Sequence, residues 1–376
     1  MNKKLSAIAA AIIIIVLALV LARNFRSSTQ DNPGVKIGVI TDLTSSAAGT
    51  YGIPLKKGVD FGLSEINGNG QAYRAIYEDY RLDAKLALPA YEALKLQGVR
   101  FFIVDGSAAI SVLSSEAKKD GNMILNPSSF VPSYKDGSPL TCRVAMTVDT
   151  YAPAYADFVV NKLHKKNIAL LIPNIEAGVA LRDEVTKQIT KLGGTIVYDE
   201  MYLKDTVDFR TQIAKIKAVK GLDALIVVNY FTSAQTMFSQ IKESGLDTQL
   251  VTDDWTAENQ AFNEKDLING AYSVGYAFSG DDPQTDREKA FYASFQKRYS
   301  TDPGLESILG YDLVHILDKA ITSSHSTEPI TVANYIVSNV QNYAGLSGTL
   351  SFNSDCEVSR TAQFRQVVDG KVTDMK

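Results

Sequence analysis

Cysteine, histidine and tryptophan are scarce in this chain: two, three and one among 376 residues. His164 lies in the basic run "KLHKK", His315 in the apolar "YDLVHILDKA" and His325 in "SSHS", so no two histidines have metal-ligand spacing. No G-x-S-x-G turn marks a serine hydrolase, and no G-K-[ST] loop marks a phosphate site. "INGNGQA" is not followed by the helix that a dinucleotide fingerprint requires. An enzyme is therefore not expected, and neither a cofactor nor a metal is implied. Charge of one sign is lacking too. The formal net charge is -4 and the pI about 5.6, without the clustered Lys and Arg that displace counterions from nucleic acid, so that partner is set aside.

The chain is 45% hydrophobic and 21% charged, an ordinary globular composition long enough for two core-forming domains. Its N-terminus is unusual. Lys3 and Lys4 precede "LSAIAAAIIIIVLALVLA", apolar throughout except Ser6, and Arg23 and Arg26 follow. This is an export signal or membrane anchor over residues 1–26; its length favours an anchor, while Val20 and Ala22 offer a cleavage site. A polar tether, 27–34, follows, and everything beyond it is expected outside the cytoplasm. No cysteine lies near the leader, which excludes a lipid anchor on an N-terminal cysteine. Cys142 and Cys356 could pair in such a compartment or stay free and buried; spacing leaves both open.

From Val35 onward, short Val/Ile-rich runs alternate with turns and with stretches apolar at three- and four-residue spacing, the signature of parallel βα units. "VKIGVI", "AYRAIYED", "RFFIVDG" and "NMILNP" form one series; "NIALLIP", "TIVYDEMY", "ALIVVNY" and "QLVTDD" form a second. A helix is expected over 151–165 with Pro153 in its first turn. The remainder holds one strand, "AYSVGYAF", three helices, and a closing pair of strands, "GTLSF" and "RTAQFRQVVDGK". It is too poor in strands for a third sheet, so it should return to complete the first two domains. The expected fold is α/β, with two doubly wound, Rossmann-like parallel-sheet lobes joined by a multi-crossover hinge. The boundaries are 35–148 with 278–362 for lobe 1, and 149–277 with 363–376 for lobe 2. Ligands of such sheets sit beyond the carboxyl ends of the strands, which nominates "DGSAAIS", "NPSSF", "NYFTSA" and "TDDW".

These stretches, with "VKIGVITDLTSSAAGTYGIPLKKGVDFGLSEING" and "AGVALRDEVTKQITKLGGTIVYDEMY", resemble the type I periplasmic binding proteins, specifically the leucine/isoleucine/valine-binding branch that serves ABC transporters. The resemblance implies a two-lobed fold that captures an amino acid, holding its carboxylate with a serine hydroxyl and backbone N–H groups of one lobe and its ammonium with an acid of the other. Ser107 falls on the serine position, Asp254 on the ammonium-binding acid, Tyr230 on a binding tyrosine and Tyr51 on a pocket-wall aromatic. There are departures. Phe130 stands where a threonine is frequent, which shifts carboxylate recognition toward Ser128 or Ser129; Ala177 replaces a frequent tyrosine; and Asp105 adds an acid. Asp253 and Trp255 read as structural. The implied partners are a small-molecule ligand and a membrane permease, with the binding protein a monomer. A tethered sensor acting through a separate signalling protein is the alternative.

Overall fold

The computed structural model describes residues 34–45, 47–67, 72–129, 131, 138–258, 262–277 and 283–375. The apolar leader, the tether and Phe130 lie outside them. Among the described residues no helix is long and apolar enough to cross a membrane.

Two parallel sheets organise the chain. The first contains β1 (Val35–Thr41), β2 (Tyr73–Asp79), β3 (Phe101–Val104), β4 (Met123–Asn126) and β5 (Thr141–Arg143), in the order β2-β1-β3-β4-β5. Its central strands are nearly continuous apolar runs because helices cover both faces; β3 and β4 are buried at every residue. The connecting helices are α1 (Gly52–Ile66), α2 (Ala84–Leu96) and α3 (Ser107–Asp120). The chain then passes into α4 (Val148–Ala156), whose last turns widen into a π-helical segment, Asp157–Lys162. Pro153 is thus inside the helix rather than in its first turn: the helix begins three residues earlier than the apolar spacing indicated.

The second sheet is built from β6 (Asn167–Pro173), β7 (Thr195–Tyr202), β8 (Ala224–Val227), β9 (Gln249–Asp253) and β10 (Tyr272–Gly275). Its helices are α5 (Glu176–Lys191), α6 (Arg210–Lys217), α7 (Ala234–Glu243) and the single turn α8 (Asp254–Ala257). Helices α9 (Asp286–Tyr299), α10 (Leu305–Ser324) and α11 (Pro329–Asn339) precede a small antiparallel sheet of β11 (Tyr343–Gly345), β12 (Gly348–Phe352) and β13 (Val358–Ser359). Finally β14 (Gln363–Val368) and β15 (Lys371–Asp374) add antiparallel strands to the edge of the second sheet, giving the order β15-β14-β10-β9-β8-β6-β7. The expected pairing of "GTLSF" with "RTAQFRQVVDGK" does not form. The second stretch folds on itself at Asp369-Gly370, both at positive φ, the two-residue turn that an Asp-Gly pair favours.

Two contacts tie the late segment to the first sheet. Helix α10 lies against α1 so closely that a Cβ on Gly58 would come within 1.9 Å of the Ser307 carbonyl oxygen. Cys142, in β5, is bonded to Cys356 just ahead of β13. Beside that bridge the fully buried Arg143 donates from Nε to Glu357 (2.7 Å) and from Nη1 to the carbonyls of Ser129 and Val131. The strand ends that enter and leave the crossovers are thereby stapled together.

Candidate ligand-binding site

Where parallel strands end, the next helix begins with free N–H groups and side chains that face neither sheet surface. In the first sheet those positions hold a hydroxyl network around one acid. Asp105, 2% exposed, follows β3 and accepts hydrogen bonds from Thr41 Oγ1 (2.9 Å) and Ser128 Oγ, while Ser128 Oγ in turn accepts from the Gly106 N–H (2.7 Å). Gly106 has φ +80°, and a Cβ there would press within 2.4 Å of the Tyr80 hydroxyl, so only glycine lets α3 start at this point. Ser107, its first residue, accepts from Ser129 Oγ at 3.1 Å. Burial raises the Asp105 pKa above the usual carboxylate range, and Asp42 nearby adds to it, although the Ser128 and Thr41 hydroxyls oppose the shift.

In the second sheet the equivalent ends are aromatic. Asn229 anchors the turn after β8: its N–H donates to Thr256 Oγ1 (3.0 Å) and its Oδ1 accepts from the Phe231 N–H (2.9 Å), which presents Tyr230 and Phe231 side by side. Asp253 caps α8 by accepting from the Thr256 N–H (2.9 Å), and the Tyr230 hydroxyl also bonds to it. Trp255 is held by its indole N–H on the Tyr151 hydroxyl (3.1 Å).

The two sets of strand ends meet around a cavity of about 150 Å³. From the first sheet it is lined by Tyr51, Leu82, Asp105, Gly106, Ser107 and Ser128; from the second by Ile175, Tyr230, Phe231 and Trp255. The Tyr51 hydroxyl crosses the gap and donates to the Tyr230 carbonyl, so the cleft is closed. A larger cavity, about 350 Å³, lies beside Arg360 and the hydroxyls of Ser347, Thr349 and Ser351 and reaches Tyr276 and Ala277, just past the end of β10.

Five of the seven nominated residues, Tyr51, Asp105, Ser107, Ser128 and Tyr230, stand on this wall. Asp254 does not. It is 1% exposed and turned into the protein: Oδ1 accepts from the Tyr151 hydroxyl (2.8 Å) and the Trp255 N–H (3.0 Å), and Oδ2 from the Tyr276 N–H (2.7 Å). Room for it exists because residue 275 is glycine; a Cβ there would fall 2.1 Å from the carboxyl group. Burial, reinforced by Asp253 and Glu258, pushes the Asp254 pKa up to about 8, while burial pushes Asp253 up to about 6. Leu82 and Ile175 lie outside the nominated stretches, and Phe231 and Trp255 lie inside "NYFTSA" and "TDDW" without having been singled out as ligand contacts. Trp255 carried a usable signal, a lone tryptophan at a strand end, but was read as structural.

The sequence profile of the periplasmic binding protein family matches residues 34–371. The chain belongs to that family. Its members are extracytoplasmic solute-binding proteins rather than enzymes. This periplasmic binding protein is 22% identical over 331 residues to a protein of Pseudomonas aeruginosa named amino acid binding protein, a match covering 86% of this chain and 88% of that one. Among solved structures it is similar to the branched-chain amino acid transporter substrate binding protein LivJ of Streptococcus pneumoniae in complex with isoleucine. That similarity has a TM-score of 0.79 and 23% identity, covering 90% of this chain and 97% of that one. A solute binding protein of R. palustris in complex with benzoate gives a TM-score of 0.81 at 16% identity over 91% and 95% of the two chains. The type I periplasmic binding protein fold expected from the sequence is the fold observed.

Proposed function

We propose that this periplasmic binding protein captures an amino acid or a related small polar solute between its two parallel sheets and delivers it, outside the cytoplasm, to an ABC permease. The observation that carries this reading is the cavity at the meeting point of both sets of strand ends, closed by the Tyr51–Tyr230 bond. Segments 35–148 with 278–362 form one moving lobe, and 149–277 with 363–376 the other. Ser107, Ser128 and the N–H groups opening α3 suit the anionic end of a solute, because a helix N-terminus presents donors and a partial positive charge. Asp253 and Asp254 lie buried behind Tyr230 and Trp255, their oxygens already accepting bonds from the protein.

The test is calorimetry on the purified protein after a thermal-shift screen, since any solute that binds only the native state raises its melting temperature. For a solute found this way, Ser107→Ala should weaken binding about tenfold or more, because a hydrogen bond to a charged group contributes roughly 1.5–3 kcal/mol. Tyr230→Ala should weaken it further. A solute whose affinity is the same in both variants is bound elsewhere, and the cleft reading fails.

A further inference from the structure

Four aromatic rings share the cavity wall: Tyr51, Tyr230, Phe231 and Trp255. Among the described residues that wall carries no Lys, Arg or His, whereas Asp105 stands on it and Asp253, Asp254 and Glu306 are buried around it. Burial raises the pKa of Asp105, Asp253, Asp254 and Glu306, so a cation in the cavity would favour their ionised forms and an anion would oppose them. Arg81, next in sequence to the wall residue Leu82, lies 3.6 Å from Asp79. Arg360 donates to Ser347 and lies 4.8 Å over the Tyr276 ring, and Arg365 donates to the Tyr276 and Ala277 carbonyls and to Asp374.

A purely anionic solute would face these acids without a basic side chain on the described wall. A primary ammonium fits the charge but brings three N–H donors that need acceptors. Each Asp105 oxygen already accepts one bond, from Thr41 or Ser128, and the Ser107 hydroxyl one from Ser129, leaving each a single further acceptor position. A quaternary ammonium has no N–H to satisfy. Aromatic faces attract its charge, and Leu82 and Ile175 can cover its methyl groups.

Resting on the cleft reading above, we propose that the solute class is quaternary ammonium: a trimethylammonium head sits among Tyr51, Tyr230, Phe231 and Trp255, and its polar tail reaches Ser107. Trp255 is the chain's only tryptophan, so its emission reports the site directly. Choline, glycine betaine and tetramethylammonium are titrated into the purified protein beside leucine, isoleucine, benzoate and 3,3-dimethylbutan-1-ol, the uncharged carbon analogue of choline. At least one quaternary compound should change the emission and raise the melting temperature, with a Kd at least tenfold below those of leucine, isoleucine and benzoate. Choline, if bound, should outcompete its carbon analogue. Phe231→Leu, which keeps apolar bulk and removes a ring, should weaken that binding roughly 2- to 30-fold, the range expected of one cation–π contact. Binding of leucine, isoleucine or benzoate in preference overturns the quaternary assignment and leaves the cleft reading standing. Equal binding of choline and its carbon analogue overturns it, as does an unchanged Kd in Phe231→Leu or no response to any quaternary compound.

Discussion

Replacing both Cys142 and Cys356 by alanine tests the staple beneath the crossovers. The bridge spans 214 residues of sequence, and both cysteines are almost completely buried. In the chain-entropy treatment a cross-link removes from the unfolded ensemble the cost of closing its loop, which for a loop this long is about 5 kcal/mol at 25 °C. Measured bridges typically contribute about 2–4 kcal/mol, because the unfolded chain retains structure. With an unfolding entropy of about 2.1 cal/mol/K per residue, a chain of this length should melt roughly 3–5 °C lower in the double variant. Differential scanning calorimetry measures the shift, and thiol titration in denaturant, with and without reductant, confirms that the native protein carries no free thiol. Solute affinity should stay unchanged, since neither cysteine is on the cavity wall. A melting temperature within about 1 °C of the parent, or two titratable thiols in the unreduced protein, would refute the reasoning.

Removing the cross-cleft donor with Tyr51→Phe should weaken closure by about 0.5–1.5 kcal/mol, roughly 2- to 10-fold in solute affinity, with small-angle scattering showing a larger ligand-free population of open molecules. Gly275→Ala drives a methyl group into the Asp254 carboxyl and should cost about 1–3 kcal/mol in chemical denaturation; an unperturbed variant would mean Asp254 is not seated there. The pH dependence follows from Asp254, which ionises near 3.8 when unfolded and near 8 when folded. Between those values the folded state holds the extra proton, so this group stabilises below about pH 4 and its contribution is lost as pH rises through 8. Asp254→Asn should flatten that segment of the ligand-free stability profile, and a variant with the parent's slope would contradict the assignment.

How much of this was readable in the residues depended on whether one strand's pattern sufficed. The two sheets were legible because βα alternation is local, Asp105, Ser107, Ser128 and Tyr230 because parallel sheets place their ligands at strand ends, and Tyr51 only through the family resemblance. Asp254 shows the limit. It turns inward because of the missing side chain at Gly275, 21 residues away, while Asp253 beside it caps α8 and does not line the cavity either. Phe231 is set by an Asx-turn from Asn229, two residues earlier, which the sequence could have signalled, whereas Trp255 is held by Tyr151, a partner no spacing rule connects. The pairing of Cys142 with Cys356 required knowing that β13 returns beside β5. The misjudged closing pair carried its own correction in Asp369-Gly370, a hairpin signal inside what was read as one strand.

The seam between α1 and α10 constrains how such a receptor could be retuned. Tyr51 precedes one helix and Glu306 begins the other, and with the Ser307 carbonyl occupying the space a side chain at 58 would need, their separation is set by main chain against main chain. A library aimed at new specificities would gain little from varying that pair, which shifts only if both helices shift. Leu82, Ile175 and Phe231 hang from connecting loops, and it is there that shape can change while the frame holds still.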